Sequence, residues 1–149
     1  MCSTLPFAAP PHPSPLLGTW EADLNESSFE GRAPYKTGKM TFVAVDAQNV
    51  RVICDVVTAS GIPFHFEYEG PEDGSVVRVV GNPYYNSASM SWDGERTLKR
   101  TERRAGEITG TTTMVLAEDG GSFTASASRT TPEDGHLYTS VIVWRRVDK

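Results

Sequence analysis

The chain has 149 residues, a formal net charge of -5 and 22% charged side chains. That length suits one domain with a core of its own, and the ordinary charge content excludes a disordered body. The acidic balance disfavours nucleic acid as a partner, and no apolar run approaches the roughly 20 residues of a membrane-spanning helix, so no membrane partner is expected.

Residues 1–16 carry Pro6, Pro10, Pro11, Pro13 and Pro15 and neither Lys nor Arg. Proline fixes φ and removes backbone donors, so this stretch is expected to be an extended, flexible N-terminal arm preceding a barrel domain over 17–149. It lacks the basic start and unbroken apolar run of a secretory signal. Cys2 and Cys54 fit two free thiols in a reducing compartment better than a secreted disulfide scaffold. A cytoplasmic location is the expectation. The two cysteines with His12, His65 and His136 match no zinc spacing, and neither a metal nor a cofactor is expected.

From Leu17 onward, short segments alternate with turn signals such as Asp73-Gly74, Asp93-Gly94 and Asp119-Gly120-Gly121. Asp-Gly between alternating segments marks hairpins, because type I′ turns need φ > 0. About ten strands are predicted, near 17–23, 38–46, 49–59, 62–69, 75–80, 87–92, 96–104, 107–117, 122–130 and 136–147. The connection 24–37 is the longest, and it reads equally well as a lid over one barrel end or as a plain loop. Regular spacing of this kind indicates a meander: an all-β fold, a single antiparallel up-and-down β-barrel.

Alternation assigns the faces. The inward sets are Met40 and Phe42; Val50, Val52, Cys54 and Val56; Ile62, Phe64, Phe66 and Tyr68; Ala88, Met90 and Trp92; and Phe123, Ala125 and Ala127. One strand breaks the rule, because Leu98 shares its face with Arg100 and Glu102. Pointing inward, these charges must be paired or solvated. Pointing outward, they join Arg96, Lys99, Arg103 and Arg104 on a solvated strand. His65 and Glu67 lie on the opposite face from Phe64 and Phe66, either as an acid–base pair or as exposed surface. Tyr84 and Tyr85 fall in a loop, as a gate at a barrel mouth or an ordinary turn.

Leu17-Gly18-Thr19-Trp20 resembles the opening of the calycin group: lipocalins, avidins and fatty-acid-binding proteins. In that group the Trp closes one barrel end and a basic residue of the last strand packs over it. The resemblance implies a lipocalin-like barrel in which Arg145 or Arg146 stacks on Trp20. A closer likeness is to a family of small bacterial lipocalin-like proteins with no established catalytic set. It is carried by Gly18-Thr19-Trp20, Asn25 with Ser27-Ser28-Phe29, Gly61 to Tyr68, Gly81-Asn82-Pro83-Tyr84, Thr111-Thr112-Thr113 and Val141 to Trp144. The chain is also similar to nitrobindin, whose haem is held by a last-strand histidine; here Thr139 stands near that position.

Ten strands leave more interior room than the eight that side chains can just fill. The expected function is therefore binding of a small, largely hydrophobic molecule inside the barrel. Phe64, Phe66, Tyr68, Met90 and Trp92 would line the site, with Arg100, Glu102 and Tyr138 at the ligand's polar or anionic end. The alternative is a cofactor-independent cyclase or isomerase acting on a biosynthetic intermediate held in the same cavity, with Arg100, Glu102, Tyr68 and Tyr138 as candidates. A third reading is a filled barrel that acts through its surface. The oligomeric state is not legible.

Overall fold

In the computed structural model, residues 14–31, 34–130 and 135–147 are described. They form β1 (Gly18–Glu30), β2 (Tyr35–Ala44), β3 (Val50–Thr58), β4 (Pro63–Gly70), β5 (Asp73–Val80), β6 (Ser87–Trp92), β7 (Thr97–Arg104), β8 (Glu107–Leu116), β9 (Ser122–Thr130) and β10 (Leu137–Arg146). Every strand pairs antiparallel with its sequence neighbours, and β1 pairs with β10, so the sheet closes into a barrel. The connections are tight where Asp-Gly predicts hairpins; Gly94, for instance, has φ +90°, a conformation that residues with a Cβ rarely adopt.

The alternating faces fold as predicted on all but one point. Met40, Phe42, Val50, Val52, Cys54, Val56, Phe66, Tyr68, Ala88, Met90, Phe123 and Ala125 are buried inside. Ile62 is 61% exposed, because β4 begins only at Pro63 and Ile62 sits in the preceding turn. Most of the predicted lid or loop over 24–37 is strand, and residues 32 and 33 lie outside the described residues. β1 runs on to Glu30 and β2 starts at Tyr35. The ladder to β10 absorbs Leu24 to Ser27 in an irregularity between Asp23 and Ser28. There Ser27 Oγ donates to the Asp23 carbonyl and accepts from the Val143 N–H. A side chain that replaces ladder partners in this way lets a polar stretch stay in the sheet.

The end of the barrel near Trp20 is closed. Trp20 is fully buried, its Nε1 donates to the Leu16 carbonyl at 2.9 Å, and its ring meets Phe123 edge-on at 4.8 Å. Arg146 lies over the Trp20 ring, 4.2 Å from its centroid, and donates to the carbonyls of Leu17, Pro15 and Gly120. Arg145 points outward and pairs with Asp23, so of the two arginines it is Arg146 that packs on the tryptophan. The arm expected over 1–16 needs a new boundary. Ser14 and Leu16 are buried and this short segment crosses the barrel end, because Arg146 and Trp20 take its carbonyls. Residues 1–13, with Cys2, lie outside the described residues. Cys54 is a free thiol buried on β3, and burial pushes its pKa up to about 12.

Candidate functional site

The register of four neighbouring strands builds the polar heart of the interior. Glu102 on β7 stands beside Gly110 on β8, which stands beside Arg129 on β9. One layer deeper the order is Arg100, Thr112, Ala127 and Ser140. Gly110 is essential to the upper layer. A Cβ there would stand 2.4 Å from the Arg129 Cβ and 2.9 Å from Glu102 Oε1, so only glycine lets the two side chains meet across β8.

Glu102 is fully buried and holds the cluster together. Its Oε1 accepts from Arg129 Nε at 2.9 Å. Its Oε2 accepts from Arg100 Nε at 2.7 Å, from Arg129 Nη2 at 3.0 Å and from Thr112 Oγ1 at 2.6 Å. Arg100 reaches on to Tyr68 OH at 2.9 Å and Thr112 Oγ1 at 3.3 Å. Burial alone would raise the Glu102 pKa, but the two guanidiniums and the hydrogen bonds outweigh it and lower it to about 2. Both arginines stay firmly protonated: burial opposes their charge, and the neighbouring carboxylate and tyrosines more than offset it. Glu102 is therefore a fixed counter-ion with both oxygens hydrogen-bonded, which is a poor arrangement for a general acid or base near neutral pH.

Two guanidiniums share one carboxylate, so the buried charges among the described residues sum to a net positive. A buried charge without a counter-charge is costly. Tyr85 lies between the arginines. Its ring centroid is 5.6 Å from the Arg100 guanidinium carbon and 5.4 Å from that of Arg129. Its hydroxyl is buried with no hydrogen-bond partner among the described residues, and burial pushes its pKa far up, so it is held as a donor.

Arg100, Arg129, Tyr85, Phe64, Phe66 and Trp144 wall a cavity of about 40 Å³. Its deeper wall is apolar, with Met40, Met114, Ala125 and Ile142, and Tyr84 closes it toward the end opposite Trp20. A single water needs about 10–15 Å³ of such space, and drug-sized pockets run to about 300 Å³ and more. The interior is thus neither solid nor open. Tyr84 packs against Phe64 and Tyr138, with centroids 6.4 and 5.7 Å apart, forming an aromatic collar at that end.

The structure distributes the sequence-predicted site residues unevenly. Phe64, Phe66 and Arg100 line the cavity; Tyr68 and Glu102 stand behind it, holding Arg100. Tyr138 is buried at the collar, and its ring lies 6.0 Å from the Arg129 guanidinium carbon. Met90 is core next to Arg100 in the ladder. Trp92 lies toward the closed end, where its Nε1 donates to Glu72 and it borders a separate open recess of about 450 Å³ beside Ser14 and Asp46. His65 and Glu67 are surface groups: His65 is bracketed by Asp55 and Glu67 outside the barrel.

Arg129 is the residue that sequence reading missed, and Tyr85, read as a mouth gate or an ordinary turn, is instead buried between the two arginines. The signal for Arg129 was present, since it continues the inward set Phe123, Ala125 and Ala127. Nothing in the sequence gave the inward direction of Tyr85, because a loop residue has no alternation to place it.

A closed ten-stranded antiparallel barrel with a tryptophan–arginine plug defines a calycin-like fold. No family model matches the chain, and no curated protein matches it. Among solved structures it is similar to Rv2717c from M. tuberculosis, at 15% identity over 91% of this chain and 94% of that one, with a TM-score of 0.59. It is likewise similar to the fluorescent protein UnaG, at 12% identity over 88% and 96%, TM-score 0.56. The zebrafish ileal bile acid-binding protein complexed with cholic acid matches at 12% identity over 90% and 100%, TM-score 0.51. These likenesses establish the fold.

Proposed function

We propose that the barrel binds a small, largely hydrophobic molecule whose anionic end is taken by Arg100, Arg129 and the Tyr85 hydroxyl. The observation that carries this reading is the net positive charge inside the barrel, next to an unpartnered Tyr85 donor and an apolar cavity floor. A carboxylate or similar oxyanion would neutralise the cluster and accept these donors, and guanidinium suits planar anions because its donors form a fork. The cholic acid bound by the zebrafish structural neighbour is a ligand of this general kind, an apolar body with an acid group. The body of the ligand would extend among Met40, Met114, Ala125 and Ile142, displacing the collar as it enters. We also propose that the chain is related to the small bacterial lipocalin-like proteins, a reading supported by the segments from Gly18-Thr19-Trp20 to Val141–Trp144 that resemble theirs.

The test is displacement of a fluorescent naphthalene sulfonate probe by dodecanoate and by dodecanol. Charge-assisted hydrogen bonds contribute about 1.5–3 kcal/mol each, so dodecanoate should bind about tenfold tighter or better. Arg129→Met should erase most of that difference. Equal binding of acid and alcohol would remove the anion from the reading, and binding of neither would favour a barrel that acts through its surface.

A further inference from the structure

Trp144 carries a second anomaly, at the other end of the same cavity. It sits on β10, four residues beyond Ser140 in the arginine layer, a separation of about 13 Å at 3.3 Å per residue. The ring is 2% exposed, and it stacks on Phe123 with centroids 6.2 Å apart. Its benzo end is seated on Gly38, where a Cβ would come within 3.1 Å of Cη2. The opposite, pyrrole side carries Nε1, which is buried and has no acceptor among the described residues. Buried indole N–H groups ordinarily find a partner. The other two tryptophans do: Trp20 donates to the Leu16 carbonyl and Trp92 to Glu72, each at 2.9 Å. Nε1 of Trp144 is sealed from solvent, so an acceptor can reach it only from within the barrel, and the ring is part of the cavity wall.

We infer that Trp144 Nε1 is a second, distal hydrogen-bond anchor, and that the ligand is bipolar: an acid at one end and a neutral acceptor, such as a carbonyl or hydroxyl, toward the other. This rests on the binding reading above and narrows its ligand class. The apolar residues Ala125 and Ile142 lie between the two anchors in the ladder, so the segment joining the polar ends is hydrocarbon. A plain aliphatic acid satisfies the arginine layer and leaves the indole donor unpaired. An acid with a distal acceptor satisfies both, and an unpaired buried donor is what a specific site uses to reject the analogue lacking the matching group.

The experiment compares dodecanoate with 10-oxododecanoate on the full chain, by calorimetry and by following the indole N–H signals in nitrogen-15 NMR spectra. The keto acid should bind roughly twofold to tenfold tighter. Of the three indole signals, that of Trp144 should move downfield with the keto acid and not with dodecanoate, while those of Trp20 and Trp92 stay. In Trp144→Phe, which keeps an aromatic ring and removes the donor, the affinity ratio of the two acids should fall to one. The spectra of the unaltered protein decide the matter even if that variant folds poorly. If dodecanoate binds but the keto group adds neither affinity nor an indole shift, the distal anchor is wrong and the anion site stands; an interior water then satisfies the N–H. If neither acid binds, the binding reading itself fails and takes this inference with it.

Discussion

Arg129 and Glu102 meet side-on inside the barrel, Nε to Oε1 at 2.9 Å and Nη2 to Oε2 at 3.0 Å. Such two-bond pairing fixes orientation as well as charge. Glu102 also serves Arg100, so replacing it by Gln strands two guanidiniums in the interior. Breaking a buried pair by removing one partner costs about 3–5 kcal/mol. Glu102→Gln should lower the urea midpoint by a matching amount, read from equilibrium unfolding. A loss below about 1 kcal/mol, the range of exposed pairs, would mean that water reaches the cluster.

The same carboxylate sets an acid limit. Its pKa is depressed from 4.5 to about 2 in the folded protein, so the unfolded chain takes up a proton first as pH falls. Its contribution to stability is therefore fully present above about pH 4.5, and declines from there until it is exhausted near pH 2. The stability difference between the unaltered chain and Glu102→Gln should shrink across that window and stay flat from pH 5 to 7. A difference independent of pH down to 2.5 would show that Glu102 is not held ionised.

Most of the architecture was legible because a half-buried strand writes its faces into the sequence with period two. Phe64, Phe66 and Tyr68 declared one wall this way, whereas Leu98, Arg100 and Glu102 left two readings open, charges inside the barrel or a solvated strand, and the structure takes the first. Where side chains replace ladder bonds the signal failed. Asn25 to Ser28 read as a loop, yet Ser27 stitches them into β1. Ser14 to Leu16 read as an arm because proline dominates locally, while their burial depends on Arg146, far away in the chain. Cavity size was illegible for a further reason. It depends on the whole lining, which includes a loop tyrosine, Tyr84, whose packing on Phe64 and Tyr138 is wholly long-range.

Gly110 supplies a sharp test of how the cluster is assembled. Its Cβ position lies within 3.0 Å of Arg129 Cβ, the Ser128 carbonyl and Glu102 Oε1, two of which are fixed by the backbone. Gly110→Ala must push β8 and β9 apart or expel the pair. Overpacking typically costs about 1–3 kcal/mol, and disrupting the ion pair adds to it. The variant should lose more stability than Thr111→Ala, an exposed neighbour on the same strand. Equal, small losses would show that the two strands can spread freely there.

At the closed end, Trp20 and Arg146 should contribute unequally. Trp20 is fully buried against Phe123, and large-to-small replacement of such a residue costs about 3–5 kcal/mol. The Arg146 guanidinium adds a cation–π contact, about 0.5–2 kcal/mol, plus three carbonyl hydrogen bonds. Trp20→Ala should therefore be the more damaging in chemical denaturation. Arg146→Met should mainly release the Ser14–Leu17 segment, seen as faster amide exchange at Leu16 and Leu17. Unchanged exchange would mean that the segment is held by Trp20 alone.

Tyr84 governs access in the binding reading. The cavity of about 40 Å³ cannot hold a twelve-carbon acid while the collar is closed, so entry waits on Tyr84 leaving Phe64 and Tyr138. Removing the ring lowers that barrier for ligands moving in either direction. Tyr84→Ala should speed both association and release of dodecanoate several-fold in stopped-flow traces, with a smaller change in affinity, because the arginine layer is untouched. Tyr138→Phe keeps the ring and should leave the rates near those of the unaltered chain. If Tyr84→Ala changes affinity without changing the association rate, Tyr84 is a contact of the bound ligand and entry occurs elsewhere around the barrel.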